Sequence, residues 1–349
     1  MPAKAFARPK SFDHLHPSSL HKYGVRKHAD VETSDRAWRL QQDGWRGMDG
    51  AKVDDLLRLG AAYKHVLNNA NVAVLKRLTW DDRNEDIEEG CYLRVFVTPR
   101  RYTQTVCAED VRAATDDFVV VRKPRNLPSV SRVDNLYENV QHHTENILGA
   151  ELWPVQRLDE PTQGLILFAR NLDFCKVFNR LIQQKEHVEK CYSFIAEAAS
   201  STPTSASLPP DGTLLTHYMD LRSGGAKRVA DECEAGGCDK EASLIVLGHA
   251  PVPGHPRRRF VQIQLLTGRT HQIRAQFAHI GWPLAGDCMY HPDLASPADL
   301  DFLLKCYRLA FTYQNERVEV NLEPEFSPAD IEAVKKPLCD SNESPKSAS

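Results

Sequence analysis

Apolar and polar positions divide the chain into a leading unit and a larger main body. Residues 1–50 are rich in Lys, Arg, His and Pro with little apolar periodicity, which predicts a basic extension of low order. Apolar residues then recur at helical spacing over 53–67, and strand-like runs follow at 72–80 and 91–98. The pattern predicts a small helix-helix-strand-strand unit within residues 51–108.

The main body, residues 116–326, reads as a mixture of strands and helices. Runs of strand length or strand alternation stand at 118–121, 153–158, 165–169, 192–196 and 261–265. One amphipathic helix is predicted after a cap at Asn171, and another from near Thr270 to Gly281. Strands outnumber helices, so we expect an α+β fold with a mixed, mainly antiparallel sheet. A doubly wound parallel sheet is the alternative, and no Gly-rich strand-to-helix turn supports it.

Composition marks two further segments. Residues 199–213 are rich in Ser and Pro and are expected to form a surface loop. Residues 327–349 are expected to form a polar C-terminal tail, and its last dozen residues are expected to be disordered.

Composition narrows the class of protein. The 349 residues carry a formal net charge of -3, so nucleic-acid binding requires local clusters of positive charge. No apolar run reaches the roughly 18 residues of a membrane span, which predicts no membrane association. The nine cysteines include no Cys-x-x-Cys pair, which indicates free thiols and no zinc site.

The first twenty residues contain no apolar core of signal-peptide type. They are basic and carry Ser and Ala, so an organellar transit peptide is the alternative to a disordered arm. We therefore expect a cytoplasmic or nuclear protein, with mitochondrion or plastid as the alternative.

Three places combine polar side chains with apolar structure: Asp159 after a predicted strand, Tyr192 within a strand, and the segment 267–274 at a helix start. Each has a structural interpretation. Asp159 could brace a turn, Tyr192 could be packing, and 267–274 could cap the helix. The structural interpretation is weakest for segment 267–274, because this segment places two arginines and a histidine between a buried strand and a buried helix. Arg274 borders the buried face, where it could meet a carboxylate.

These places lie in strings that resemble a known family. The strings VQRLDEPTQGLILFAR, KCYSFIAEA and LLTGRTHQIRAQFAHIGWPLAGDCMY are similar to the three motifs of the RluA-type RNA pseudouridine synthases. VVVRKPRNLPSV and LAFTY resemble two flanking segments of the family, so the match runs from about 118 to 326. Gln156, Gln163 and Asn126 depart from the usual His, Ser and Gly. The resemblance implies the pseudouridine synthase fold, with flanking helices and a central cleft.

The resemblance also implies a reaction and its residues. Such enzymes flip a uridine out of RNA, break its N1–C1′ bond, turn the uracil and rejoin it through C5. Asp159 matches the essential aspartate, as nucleophile at C1′ or base at C2′, and Arg274 matches its arginine partner. Tyr192 matches the tyrosine against the target base, and Arg157 the arginine that fills the gap. Arg269 and His271 of the third motif are expected to bind substrate. No cofactor and no metal are expected.

RNA binding would come from local basic segments. Candidates are Arg94, and Arg100 and Arg101 beside Tyr102, with Trp80 as a second stacking partner, together with the run 257–259 and the basic arm before residue 30. Residues 51–108 resemble an S4-type RNA-binding module. We expect a monomer whose partner is a transfer RNA, a ribosomal RNA or another transcript.

Two other functions compete with the synthase. One is an inactive relative that binds RNA in folding or assembly, supported by Gln156 and Gln163. The other is a carboxylate hydrolase, which would need a second acid beside Asp159. Glu160 would point the opposite way if the strand continued.

Overall fold

The computed structural model describes residues 29–32, 38–39, 50–67, 73–84, 86–87, 92–184, 188–202, 207–222, 224–294 and 302–334. Most of the predicted basic extension and of the C-terminal tail lies outside these residues. The chain divides into two compact units. Unit 1 comprises 1–101 and 132–137, and unit 2 comprises 102–131 and 138–349. Among the described residues, no helix is both long and apolar enough to cross a membrane.

The described residues of unit 1 form one α-helix and short strands. These elements are α1 (Gly50–Arg58), β1 (Ala29–Glu32), β2 (Trp38–Arg39), β3 (Ala62–Leu67), β4 (Ala73–Leu78), β5 (Asp86–Ile87) and β6 (Tyr92–Val95). Four strands form an antiparallel sheet in the order β1-β6-β3-β4, and β2 pairs with β5. Val53, Leu56 and Leu57 of the helix are buried in one cluster with Leu93 and Val95 of β6. The assignment of 51–108 as an S4-type module stays a prediction.

The predicted second helix of this unit is wrong. Helix α1 ends before Gly60, which has a φ of 60° and so takes the left-handed conformation that glycine accepts readily. Residues Ala62–Leu67 then pair with β4 and β6 as strand β3. Tyr63, Val66 and Leu67 continue the helical interval by coincidence, and their strand pairing overrides it.

Unit 2 is built on an eleven-stranded sheet. Its strands are β7 (Val111–Ala114), β8 (Phe118–Lys123), β9 (Trp153–Pro154), β10 (Gln163–Ala169), β11 (Val188–Glu197), β12 (Leu214–Asp220), β13 (Arg228–Ala230), β14 (Lys240–Val252), β15 (His255–Leu265), β16 (Leu304–Tyr313) and β17 (Glu316–Asn321). Their order is β13-β12-β14-β15-β11-β16-β10-β8-β7, with β17 beside β16 and β9 beside β10. Among the described strands every pair is antiparallel except β10 with β16. The predicted α+β class with a mainly antiparallel sheet is confirmed.

Four α-helices accompany this sheet in the described part of unit 2: α2 (Val140–Leu148), α3 (Leu172–Gln184), α4 (Gln272–His279) and α5 (Pro328–Ala333). The predicted cap of α3 is confirmed, since the Asn171 side chain accepts from the Phe174 N–H at 2.8 Å. Helix α4 lies on β11, where Phe277 meets Phe194 edge to face at 4.6 Å between ring centroids. This contact identifies the face of β11 that lies beneath α4.

The predicted strand over 153–158 is largely wrong, because only Trp153–Pro154 pairs with β10. The backbone groups of Leu158 bond to a side chain and not to a neighbouring strand. The Ser129 hydroxyl accepts from the Leu158 N–H at 3.0 Å and donates to its carbonyl at 2.8 Å. Asp159 therefore lies in a loop rather than at a strand end.

Gly164 lies where β10 meets β16, and we predict that Gly164→Ala destabilises unit 2. Its φ is 108°, and a Cβ atom there would lie 2.6 Å from the Cys306 amide nitrogen. Backbone strain and overlap together should lower the free energy of unfolding by about 2–4 kcal/mol. Gly149→Ala is the matched control, because Gly149 also has a positive φ, 61°, but has no atom near its Cβ position. It should cost only about 1 kcal/mol. Urea unfolding of both variants measures the difference, and equal losses would contradict the prediction.

Candidate active site

Buried polar groups fix the backbone of the loop that carries Asp159. Lys123 is fully buried, and its amine donates to the carbonyls of Glu160 at 2.8 Å, Thr162 at 2.6 Å and Pro124 at 3.0 Å. Burial lowers the pKa of Lys123 to about 7, but three acceptors match the three donors that only the ammonium form has. The backbone of this loop is thus fixed independently of the Asp159 carboxylate.

Arg274 is the charged centre of the site. Its guanidinium is 1% exposed and lies between two carboxylates. Nη1 is 3.6 Å from Oδ2 of Asp159, which is 29% exposed. Nε and Nη2 donate to Asp287 at 2.6 Å and 2.8 Å, and Asp287 has no exposed surface. Although burial opposes the charge of Arg274, its bonds to Asp287 and the nearby Asp159 raise its pKa above the ordinary value.

The structure thus brings Arg274 to Asp159, as the sequence indicated, but its close partner is Asp287. Two parallel bonds at short distance fix the plane of the guanidinium, while the third nitrogen faces Asp159. Asp287 orients the arginine that in turn faces the carboxylate of the loop.

His271 and Tyr290 form the next layer. His271 precedes α4 with a φ of 58°, and its Nε2 lies 3.9 Å from Oδ2 of Asp159. Its Nδ1 lies 3.1 Å from the hydroxyl of Tyr290, and the Arg274 guanidinium lies 5.1 Å from the Tyr290 ring centroid. Burial lowers the pKa of His271 despite the nearby Asp159, so the imidazole is neutral at neutral pH. Burial has the opposite effect on the pKa of the Tyr290 phenol, which it raises to about 12.

Tyr192 lies on the face of β11 that points toward α4, and it is 6% exposed. Burial raises its pKa well above 10, and the negative charge of Asp159 contributes in the same direction. Tyr192 is paired with Cys306 of β16, and burial raises the pKa of the Cys306 thiol to about 12. Tyr192 is therefore a neutral phenol within electrostatic reach of Asp159.

The other predicted residues lie around this centre or in unit 1. Arg157 is exposed on the Asp159 loop. Arg269 is half-buried, and its Nε donates to the Glu241 carbonyl at 2.9 Å. Arg100 and Arg101 are exposed residues of unit 1.

The predicted stacking partners are already in contact with other groups. Tyr102 is 8% exposed, and its hydroxyl donates to Glu160 at 3.0 Å. In unit 1, the Arg58 guanidinium lies 3.7 Å from the ring centroid of Trp80. Tyr102 is thus buried, and one face of the Trp80 ring is covered by Arg58.

The run 257–259 is not the free basic surface that the sequence indicated. Arg258 is 1% exposed and donates from Nε to Glu197 at 3.1 Å. Its guanidinium also reaches the Ile331 carbonyl at 2.9 Å, so it ties α5 to the sheet. Arg257 donates to the Ala198 carbonyl.

Sequence reasoning missed Asp287, Lys123, Ser129 and Tyr290 as parts of this arrangement. Asp287 and Tyr290 stand inside the third quoted string, and Lys123 and Ser129 inside VVVRKPRNLPSV. A buried charge requires partners, and this rule could have directed attention to the acid that follows Gly286. Nothing in the sequence pairs Ser129 with Leu158.

One group in the described part of the chain has metal-ligand chemistry. Donor atoms of His217, Asp231 and His279 lie within 4.8 Å of one another. However, the Gln276 amide accepts from Gln272, so its nitrogen donates to Nδ1 of His217 at 2.9 Å. The neutral His217 ring therefore carries its proton on Nε2, which leaves no lone pair for a metal. These residues do not fit a preformed metal site.

Comparison with known proteins shows similarity between the main body and RNA pseudouridine synthases. Residues 117–279 match the family described as RNA pseudouridylate synthase. The chain is 31% identical over 232 residues to "RNA pseudouridine synthase 6, chloroplastic" of Oryza sativa subsp. japonica and 32% identical over 232 residues to the protein of the same name in Arabidopsis thaliana. Each alignment covers 60% of this chain and 46% of the relative, so the chain spans less than half the length of these proteins. A human structure, RNA Pseudouridylate Synthase Domain Containing 1, is 21% identical with a TM-score of 0.49, covering 63% of this chain and 85% of that one.

The three quoted sequence strings, the mainly antiparallel sheet and the family match agree. Residues 117–279 are thus similar to the RNA pseudouridylate synthase family, in agreement with the resemblance to the RluA-type enzymes.

Proposed function

We propose that this protein isomerises specific uridines in RNA to pseudouridine, with Asp159 as the catalytic carboxylate. The observation that carries the proposal is the Asp159 carboxylate 3.6 Å from the buried guanidinium of Arg274, on a loop fixed through its backbone. A carboxylate that must act repeatedly as nucleophile or base has to stay ionised, and an adjacent guanidinium favours that form. The partial exposure of Asp159 leaves it accessible to a flipped nucleotide.

The remaining residues have supporting roles. Within electrostatic reach of Asp159, Tyr192 is a neutral phenol, which suits contact with an uncharged base. Arg157 is exposed on the same loop, where it can enter the space that the flipped nucleotide leaves. Arg269 and His271 precede α4 and are proposed to contact the substrate next to the target uridine. The isomerisation changes no redox state, so it needs no cofactor.

The modified RNA is a transfer RNA, a ribosomal RNA or another transcript, and the chain is proposed to act on it as a monomer. Two similar plant proteins carry "chloroplastic" in their names. Together with the basic, Ser-containing N-terminus, this favours the plastid over the cytoplasm or nucleus. Imaging of a fluorescent fusion to the full chain tests the compartment.

Transcriptome-wide pseudouridine mapping, with and without the protein, tests the function. Sites that depend on the protein should disappear in its absence. They should return with the parent protein and not with Asp159→Asn. If the same sites are modified in both samples, the synthase proposal fails. Restoration by Asp159→Asn would favour the inactive RNA-binding alternative.

Arg100 and Arg101 provide a test of RNA binding. If both contact phosphates, replacing them with Gln should lower the slope of log affinity against log salt by roughly 1.4–1.8 in total. Single-turnover isomerisation at saturating protein should stay near the parent rate. Arg222→Gln is the control, because Arg222 is exposed and pairs with Asp220 at 2.9 Å. Filter binding over a salt series measures the slopes, and an unchanged slope would exclude both phosphate contacts.

A further inference from the structure

Lys190 is a cation on the face of β11 that carries Tyr192, and the proposed chemistry of Asp159 does not involve it. It lies two residues before Tyr192 on β11, so both side chains project from the same face of the strand. The next residue on that face, Phe194, packs against Phe277 of α4. Lys190 therefore points toward the segment that precedes α4.

The amine of Lys190 reaches the first part of that segment. A Cβ built on Gly268 would lie 3.5 Å from its Nζ, in ordinary contact. Beyond Tyr192, the thiol of Cys306 lies near enough to interact electrostatically with the ammonium. Lys190, Tyr192 and Cys306 thus form one group.

This ammonium has no counter-charge in the described part of the chain. Lys190 is half-buried, and among the described residues it makes no side-chain hydrogen bond or ion pair. The neighbouring Glu189 projects from the opposite face, where Arg317 donates to it at 2.8 Å. Burial lowers the pKa of Lys190, because the amine loses water without gaining a carboxylate.

The ion pairs of Arg274 carry the opposite net charge. Arg274 lies between Asp159 and Asp287, so these three residues sum to one negative charge. His271 is neutral, and the amine of Lys123 is occupied by three carbonyls. A second negative charge that developed beside this cluster would be repelled unless a cation were near.

The proposed reaction develops such a charge. When N1–C1′ breaks heterolytically, its electron pair leaves with uracil and spreads from N1 onto O2 and O4. The ring then forms the C5–C1′ bond, C5 loses a proton, and N1 gains one, so the product is an isomer of the substrate. Between these steps the uracil is an anion held in the site.

We propose that the Lys190 ammonium is an electrostatic catalyst that stabilises this detached uracil anion. The inference rests on the proposed function and adds a residue to it. A preplaced cation stabilises charge that exists only during the reaction, so it accelerates the chemical step more than it strengthens RNA binding.

Lys190→Met removes the charge and keeps the length of the side chain. The assay uses a transcript with a mapped target uridine, under single-turnover conditions. We expect the rate to fall about 100-fold, as when one preorganised donor is removed, while RNA affinity stays within about twofold. Lys190→Arg should restore most of the rate. Lys176→Met is the control, because Lys176 is exposed and pairs with Asp173 at 3.0 Å on α3.

A fluorinated substrate separates catalysis from structure. Fluorine at C5 of uracil withdraws electrons and stabilises the anion by itself. The loss caused by Lys190→Met should therefore be smaller for the consumption of 5-fluorouridine in the same transcript, followed by chromatography of nucleoside digests. A structural role would slow both substrates equally. The thermal midpoint of Lys190→Met should not fall, since the variant removes a half-buried charge that no carboxylate compensates.

Three results would overturn the proposal: a parent-like rate for Lys190→Met, equal losses on both substrates, or weaker RNA affinity with an unchanged rate. The last would make Lys190 a phosphate contact. An inactive parent protein would instead refute the proposed function, so the two failures are distinguishable.

Discussion

Asp159→Asn is expected to abolish pseudouridine formation while the protein stays folded and binds RNA as before. The amide has the shape of the carboxylate but can act neither as nucleophile nor as base, so the rate should fall by at least about 10⁴-fold. The loop should keep its conformation, because Ser129 and Lys123 hold it through backbone groups. Tritium release from RNA labelled at C5 of uridine measures the chemistry.

The controls for this variant concern affinity and stability. RNA affinity and the thermal midpoint should match the parent, since Asp159 is 29% exposed and is not the close partner of Arg274. Asp173→Asn, an exposed carboxylate of α3, should leave tritium release unchanged. Substantial release by Asp159→Asn would remove Asp159 from the chemistry, and a collapse of its thermal midpoint would make the loss uninformative about mechanism.

Arg274→Lys is expected to lose most activity although it keeps the charge. An ammonium cannot donate two parallel bonds to Asp287 while it faces Asp159, so the carboxylate of the loop would lose its oriented partner. Combined with Asp159→Asn, the substitution should make catalysis no slower than Asp159→Asn alone, because residues that act as a unit are not additive. Near-parent turnover of Arg274→Lys would show that the fork geometry is unimportant.

The stability effect of Arg274 should follow Asp287 rather than Asp159. Arg274→Ala leaves the Asp287 carboxylate fully buried without its partner, which should cost about 3–5 kcal/mol. In double-mutant cycles, Arg274 should couple strongly to Asp287 and weakly to the partly exposed Asp159. Urea unfolding of both cycles measures the two coupling energies. A larger coupling to Asp159 would reverse the assignment of the close partner.

The sequence predicted the local features of unit 2 well where a single segment determines them. Asn171 caps α3 with its own side chain, and the helix that carries Arg274 ends before Gly281. Predictions failed where a distant segment decides the outcome. The 153–158 run ends as a strand after Pro154, because Leu158 bonds to Ser129.

The candidate site shows the same division. Motif strings placed Asp159 and Arg274 in one site, and the structure brings them within 3.6 Å. How the guanidinium divides its nitrogens between Asp159 and Asp287 depends on tertiary geometry, which sequence spacing does not contain. The basic run 257–259 was expected to bind RNA, but a charge pattern does not reveal that Arg258 is buried against Glu197.

The parallel pairing of β10 with β16 has a consequence for synthesis of the chain. Gln163 and Gly164 pair with Lys305 and Cys306, and β11 lies on the other side of β16. Strand β10, which follows the Asp159 loop, and β11, which carries Tyr192, are therefore joined only through β16, a segment made much later. Long-range closure of this kind is slow compared with local folding. Until residues 304–313 have left the ribosome, β10 and β11 present open edges of the type that chaperones cover. We therefore expect the candidate site of the nascent chain to stay incomplete until β16 is inserted.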